Sequence, residues 1–120
     1  HTREYFEKKI MVALGGRVAE EIIYGSNKVT TGAVGDLQVV SKLAYHMVAE
    51  LGFNEKIGPA NWVNTGNEVR VDKEVRKLVR RLYNTTYDLL APNREIIEQV
   101  AKALYEEETL DKDELEKYIF

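Results

Sequence analysis

The sequence predicts an all-α fold, a bundle of four main helices followed by a short C-terminal helix. Apolar residues recur at spacings of three and four along most of the 120 residues, which is the pattern of amphipathic helices. Residues that end helices stand where these segments stop, at Gly25, Gly52 and Pro92. With 44% apolar and 31% charged residues, the composition is that of an ordinary soluble domain that can bury a core.

The first predicted helix covers residues 3–24. Its apolar stripe consists of Phe6, Ile10, Ala13, Leu14, Val18, Ile22 and Ile23. Gly15-Gly16 lowers helix propensity by about 1 kcal/mol per residue relative to Ala, which is tolerated where another element approaches closely. Arg17 precedes Glu20 and Glu21 by three and four residues, so intrahelical ion pairs are available, either on a solvated helix face or in a functional role.

The second helix is predicted from about residues 32–33 to residue 51. Its stripe consists of Leu37, Val40, Ala44, Met47, Val48 and Leu51. The loop before it, from residue 29, contains Thr30 and Thr31, whose hydroxyls can cap the helix. Gly32 and Gly35 allow another group to approach the backbone closely.

Asp36 lies in the first turns of this helix and at the edge of its apolar stripe. A carboxylate is favoured at the positive end of the helix dipole, but it needs a partner when it is partly buried. From the residues alone, Asp36 is either a well-placed acid in a capped helix start or a ligand on a rigid turn. His46 is expected to be a packing residue, because it lies about 15 Å along the helix from Asp36, too far to share one metal ion.

The rest of the chain is predicted to contain an irregular connector near residues 53–70 and three further helices. A turn is expected at Ile57-Gly58-Pro59, and Trp62 is expected in the core. Asp72 is the predicted N-cap of the third helix and Asn93 that of the fourth, residues 94–107. The inner faces are predicted to be formed by Val75, Leu78, Val79, Leu82, Thr86 and Leu89, then by Ile97, Val100, Ala101 and Leu104. The exposed face of the third helix is predicted to carry Arg76, Lys77, Arg80 and Arg81, and Asp111 with Glu114 forms a capping box for the final helix.

Composition also excludes several classes of function. The formal net charge of −3 argues against nucleic acid as the main partner. Without cysteine, the chain has no disulfide, thiolate zinc site or cysteine nucleophile, and its two histidines do not readily make a two-histidine zinc site. No apolar run is long enough to span a bilayer. Because the first residue is His1 rather than Met, we expect the chain to be a piece of a longer protein.

Two stretches resemble the signatures of FtsH-type ATP-dependent zinc metalloproteases. One resembles the motif L-G-G-R-x-A-E-E-x-x-x-G and the other the motif T-T-G-A-x-x-D-L, in the family's order and spacing. They read Leu14-Gly15-Gly16-Arg17-Val18-Ala19-Glu20-Glu21-Ile22-Ile23-Tyr24-Gly25 and Thr30-Thr31-Gly32-Ala33-Val34-Gly35-Asp36-Leu37. The resemblance extends over nearly the whole chain, except about residues 62–70, where the loop is shorter than in the family, and it is closest to the thylakoid and cyanobacterial branch.

The resemblance implies a membrane-anchored hexamer that degrades unfolded or membrane proteins. Each subunit of the family joins an AAA+ module, which uses ATP, to a helical peptidase domain. Zinc is held there by two histidines of an H-E-x-x-H helix and by the aspartate of T-T-G-A-x-x-D-L, which is Asp36 in this chain. The resemblance further implies a thylakoid membrane, another organelle membrane or a bacterial inner membrane as the location.

The chain departs from the family in one important respect, since it contains no H-E-x-x-H sequence and no Walker-type loop. We therefore expect residues 1–120 to be the C-terminal portion of the peptidase domain, with the metal helix, the AAA+ module and the membrane anchor upstream. Asp36 would be its one metal ligand, and it would hold no catalytic residue. One alternative is an inactive scaffold or hexamer-assembly module that has lost the metal helix. A helical binding domain without catalytic ancestry is a further, less favoured alternative.

Overall fold

The predicted all-α class is confirmed by the computed structural model, which describes residues 1–31, 34–107 and 119–120. Its α-helices are α1 (Arg3–Tyr24), α2 (Val34–Tyr45), α3 (Glu68–Leu90) and α4 (Arg94–Glu107). Short 3-10 turns at Ser26–Lys28 and Ala91–Asn93 and a π-helical turn at His46–Glu50 connect or extend these helices. No helix in these residues combines the length and the apolar character that crossing a bilayer requires.

Helix α1 lies at the centre of the fold and contacts α2, α3 and α4. It has the predicted bounds. It begins where the hydroxyl oxygen of Thr2 accepts a hydrogen bond from Tyr5 N, and it ends where Gly25 N donates to Glu21 O at 3.0 Å. Between residues 10 and 20 every residue except Arg17 is buried, glycines included. A helix that is buried on most of its circumference provides a rigid frame for the elements around it.

Helix α2 continues as a π-helical turn from His46, where the sequence predicted a regular α-helix to residue 51. Leu51 N donates to His46 O at 3.0 Å, a bond between residues five apart. Three successive residues are buried here, and they face two different apolar clusters. Met47 packs into the main core, whereas Val48 and Ala49 pack into a second cluster beneath the connector. The wider π-helical turn is thus packed against the main core on one side and against the second cluster on the other.

The second cluster also explains why the predicted start of α3 is wrong. The helix begins at Glu68, and Asp72 is an exposed residue within it rather than its N-cap. Val71 is 2% exposed and packs against Val48 and Ala49. Its N–H donates to Asn67 O at 2.9 Å, which closes an additional helical turn upstream of Asp72.

Trp62 belongs to this second cluster and is half-buried rather than fully in the core. Its backbone N–H donates to Ala49 O at 2.7 Å and its Nε1 donates to Gly58 O at 3.1 Å. These bonds attach the connector to the end of the second helical segment. Residues 63–66 form turns and bends, in keeping with the irregular connector that the sequence predicted.

The second half of the bundle follows the predicted pattern with small corrections. On α3, Leu82, Thr86 and Leu90 face inward at intervals of four residues, whereas the predicted Leu89 is 39% exposed. The basic residues at 76, 77, 80 and 81 are exposed, as predicted. Asn93 donates from its side chain to Leu89 O at 3.3 Å, a contact the sequence had not indicated.

On α4, Ile97, Val100 and Ala101 are buried, as predicted. The side chain of Leu104 and the capping box at residues 111 and 114 lie outside the described residues. At the end of the chain, Ile119 is 7% exposed and belongs to the main core.

Candidate metal centre

The loop between α1 and α2 is attached to the core through Glu20. Thr30 donates two hydrogen bonds to Glu20 Oε1, from its hydroxyl Oγ1 at 2.7 Å and from its backbone N at 3.3 Å. Both a side chain and the main chain of the loop are therefore held by one carboxyl oxygen. Each hydrogen bond of this kind contributes about 0.5–3 kcal/mol net, depending on charge and burial.

Glu20 is fully buried in α1, with a relative exposure of 0%. Its other oxygen, Oε2, has no hydrogen-bond partner among the described residues. A buried polar atom without a partner costs about 1–3 kcal/mol, so such a group in a native core needs an explanation. The intrahelical ion pair with Arg17 that the spacing allows is not among the ion pairs of the described chain, and Glu20 is buried rather than on a solvated face.

Asp36 lies in the first turn of α2, six residues after Thr30, and is partly buried. The chain between them passes through residues 32–33, which lie outside the described part. Asp36 is therefore carried by the first turn of a helix and is not fully enclosed by the protein. This placement suits a ligand that meets other groups at a surface.

An open groove of about 1070 Å³ runs along α2 on the side that carries Leu37, the residue after Asp36. Leu37 and Ser41 of α2 line one wall, Arg17 of α1 and Arg80 of α3 the others. Leu37 also packs against the main core. The beginning of α2 thus borders both the core and an accessible groove.

His46 is a packing residue, as predicted. Its ring meets that of Phe6 edge-on at 5.8 Å between centroids, and its Nδ1 lies 3.3 Å from Glu50 Oε2. Within residues 1–31, 34–107 and 119–120, no three histidine or acidic side chains lie close enough together to hold a metal ion. Asp36 therefore stays a predicted ligand, and the described residues do not complete a metal site around it.

Glu20 is the residue whose structural role the sequence interpretation missed. A signal was present, because Glu20 follows Ala13 and Gly16 at spacings that place all three on one face of α1. All three are buried. When a carboxylate shares a helix face with alanine and glycine, the sequence alone indicates that it is buried, even before its partner is known.

Taken together, the described residues define an all-α bundle with a loop attached to its central helix, and comparison with known proteins specifies the family. The family model for peptidase family M41 matches residues 1–70 and 63–118, two segments that overlap at residues 63–70. The chain belongs to peptidase family M41.

The relatives that the chain matches are named as ATP-dependent zinc metalloproteases of the FtsH type. It is 37% identical to FtsH 3 of Synechocystis over 97% of its own length, and 38% identical to FtsH of Chloroflexus aggregans over 98%. It is also 37% identical to the chloroplastic FTSH 1 of rice over 95% of its length. The chain spans only 22%, 21% and 19% of these relatives, about a fifth of each.

Proposed function

We propose that this chain is the C-terminal portion of the peptidase domain of an ATP-dependent zinc metalloendopeptidase, and that Asp36 is a protein ligand of its zinc ion. The observation that carries this proposal is the position of Asp36, partly buried in the first turn of α2. Membership of family M41 and the names of the relatives support the reaction class.

A catalytic zinc site has three protein ligands and a position for water or substrate, and a carboxylate is a suitable third ligand. Asp36 fits this part, because it lies in the first turn of α2 and is only partly buried. The other two ligands would be the histidines of an H-E-x-x-H helix outside this chain. When bound, zinc supplies a Lewis acid and an activated water for peptide hydrolysis.

The intact protein would degrade unfolded or membrane proteins as a membrane-anchored hexamer of like subunits. ATP would bind to an AAA+ module outside this chain. The cyanobacterial and chloroplastic relatives support a thylakoid, other organelle or bacterial inner membrane as the location.

The functional test is Asp36→Asn in the full-length protein. Loss of an outer-shell partner of a metal ligand already weakens binding about 10–100-fold, so we expect loss of a direct ligand to exceed that range. Casein hydrolysis should fall with zinc content, measured by elemental analysis of the purified protein. The matched control is Asp72→Asn, the same change at an exposed position of α3.

Unchanged zinc content and unchanged proteolysis in Asp36→Asn would remove this residue from the site. The coding sequence upstream of His1 gives an independent test. An H-E-x-x-H sequence there supports the peptidase, whereas a degenerate one supports a scaffold subunit in a mixed hexamer.

A further inference from the structure

We propose that the groove between α1, α2 and α3 of one copy of this chain binds the acidic segment 106–116 of a second copy. This inference rests on the proposed function only in placing like subunits side by side, and it does not depend on the zinc role of Asp36. The groove and the segment are different parts of the chain. Each copy can therefore bind one neighbour through its groove and another through its segment.

The groove carries a surplus of positive charge. Five basic and two acidic side chains line it. Two of the basic residues, Lys77 and Arg81, are already in ion pairs with carboxylates of α3 and α1. The other three are arginines from two helices, Arg17, Arg76 and Arg80. Guanidinium groups bind carboxylates through two parallel hydrogen bonds, so this lining favours an acidic partner.

Apolar side chains also line the groove. Leu14 of α1 is buried, and Leu37 of α2 and Val79 of α3 are partly buried and pack against the main core. Because these residues belong to three helices of one core, the shape of the groove is fixed before a partner binds, which lowers the entropic cost of binding. A partner that combines carboxylates with a few apolar residues therefore suits the groove better than a purely acidic one.

The segment 106–116 has this composition. Seven of its eleven residues are acidic and one is basic, and Leu110 and Leu115 are apolar. Carboxylates at this density need water or cations around them, because a charge that is buried without a partner is costly. The described residues on either side belong to the bundle, since α4 contacts α1 and Ile119 lies in the main core. Both flanks of the segment are therefore fixed to the folded bundle.

The choice of a second copy as the partner follows from charge complementarity within one sequence. Helix α3 contains six basic and four acidic residues, whereas residues 94–120 contain nine acidic and four basic residues. Opposite charges on two different parts of one chain favour contacts between copies in which the two sides are different. Such a contact is heterologous, and it closes into a ring when the rotation between copies allows. A ring is the form that the proposed hexamer of like subunits requires.

The test is charge reversal in the full-length protein, with dissociation of the subunits followed by mass photometry on dilution. The groove variant carries Arg76→Glu and Arg80→Glu, and the segment variant carries Asp113→Lys and Glu114→Lys. Each variant should raise the dissociation constant between subunits about tenfold or more, because like charges then face each other. A protein with all four substitutions should recover most of this loss, since its two surfaces are again complementary.

The matched control is Arg70→Glu together with Lys73→Glu. Both residues are exposed on α3, and neither lines the groove. This variant makes the same change of charge as the groove variant but should leave the dissociation constant unchanged. The wild-type contact should weaken as salt is added, because the Debye length falls from about 10 Å at 0.1 M to about 3 Å at 1 M ionic strength.

Cross-linking identifies what occupies the groove. This chain contains no cysteine, so Arg80→Cys and Glu114→Cys introduce one defined pair once any cysteine elsewhere in the full-length protein is replaced. Oxidation should join different copies through a disulfide between residues 80 and 114, seen as covalent multimers on a denaturing gel and located by peptide mass spectrometry. A disulfide formed within single copies would overturn the proposal, because the segment would then bind the groove of its own chain.

The proposal also fails if the protein with four substitutions dissociates as readily as the groove and segment variants, or if the control weakens assembly equally. These measurements separate it from the proposed function. If Asp36→Asn leaves the zinc content unchanged while the four substitutions restore assembly, the zinc role fails and the contact between copies stands. If Asp36→Asn lowers the zinc content but assembly is not restored, only the contact fails.

Discussion

Gly52 ends the π-helical turn that extends α2, and its backbone has a φ of +69°. In addition, a Cβ atom at this position would lie 2.8 Å from Pro59 Cα, closer than real Cβ atoms approach. The neighbour is backbone and cannot rotate away. Glycine is therefore required at residue 52 both for its conformation and for the close approach of the connector.

We expect Gly52→Ala to destabilise the protein more than Gly66→Ala. Gly66 has a φ of +83°, but a Cβ there would meet nothing within 4 Å, so only the backbone conformation is strained. That strain costs about 1–2 kcal/mol. The additional clash with Pro59 should make the loss at Gly52 larger, measured as the free energy of urea unfolding. Equal losses in the two variants would show that the connector moves aside readily.

Helices α1 and α3 are joined at their exposed edge by an ion pair in addition to the core between them. Arg81 Nη2 lies 2.6 Å from Glu7 Oε2, across 74 positions of sequence. The Glu7 side chain is 19% exposed and that of Arg81 58% exposed. Partial burial of one partner gives this pair more scope to stabilise the fold than a pair that is fully solvated.

A double-mutant cycle with Glu7→Ala and Arg81→Ala should give a coupling energy of about 0.5–1 kcal/mol that decreases at high salt. The comparison pair is Glu4 and Lys8 within α1, at 3.1 Å, where the Glu4 side chain is 75% exposed. For that pair we expect about 0.3–0.5 kcal/mol. A coupling between Glu7 and Arg81 no larger than that of the control would mean that solvent screens both pairs equally.

The described part of the chain is a helical bundle around α1, with the predicted metal ligand Asp36 partly buried in the first turn of α2. Among the described residues, no group of three histidine or acidic side chains could hold a metal ion. A chain that corresponds to about a fifth of its relatives contains a core of its own, formed by all four α-helices.

The isolated chain is accordingly expected to give a helical circular-dichroism spectrum but neither to cleave casein nor to bind zinc tightly. A single carboxylate is insufficient, because catalytic zinc sites use three protein ligands. The measurements are casein hydrolysis with added zinc and zinc titration against a chelator. Casein cleavage by the purified chain that a chelator abolishes would contradict this expectation.

Much of this architecture is encoded locally. The bounds of α1 and α4, the stop at Gly52 and most of the buried stripe follow from apolar spacing and from residues that end helices, which depend on near neighbours only. Asp36 emerged as a candidate ligand from its position at a helix start and, more strongly, from the resemblance of two motifs to one family. The zinc role of Asp36 stays a prediction.

Only the tertiary structure decided the features that depend on distant partners. The sequence spacing allows Glu20 to pair with Arg17 within its own helix, but Glu20 is buried and accepts a hydrogen bond from Thr30 instead. Likewise, the earlier start of α3 and the π-helical turn go together with a cluster formed by Val48, Ala49 and Val71. The spacing of apolar residues in the sequence indicates which side of a helix is apolar. It does not indicate which segment packs against that side. That segment determines whether a buried carboxyl group has a hydrogen-bond donor.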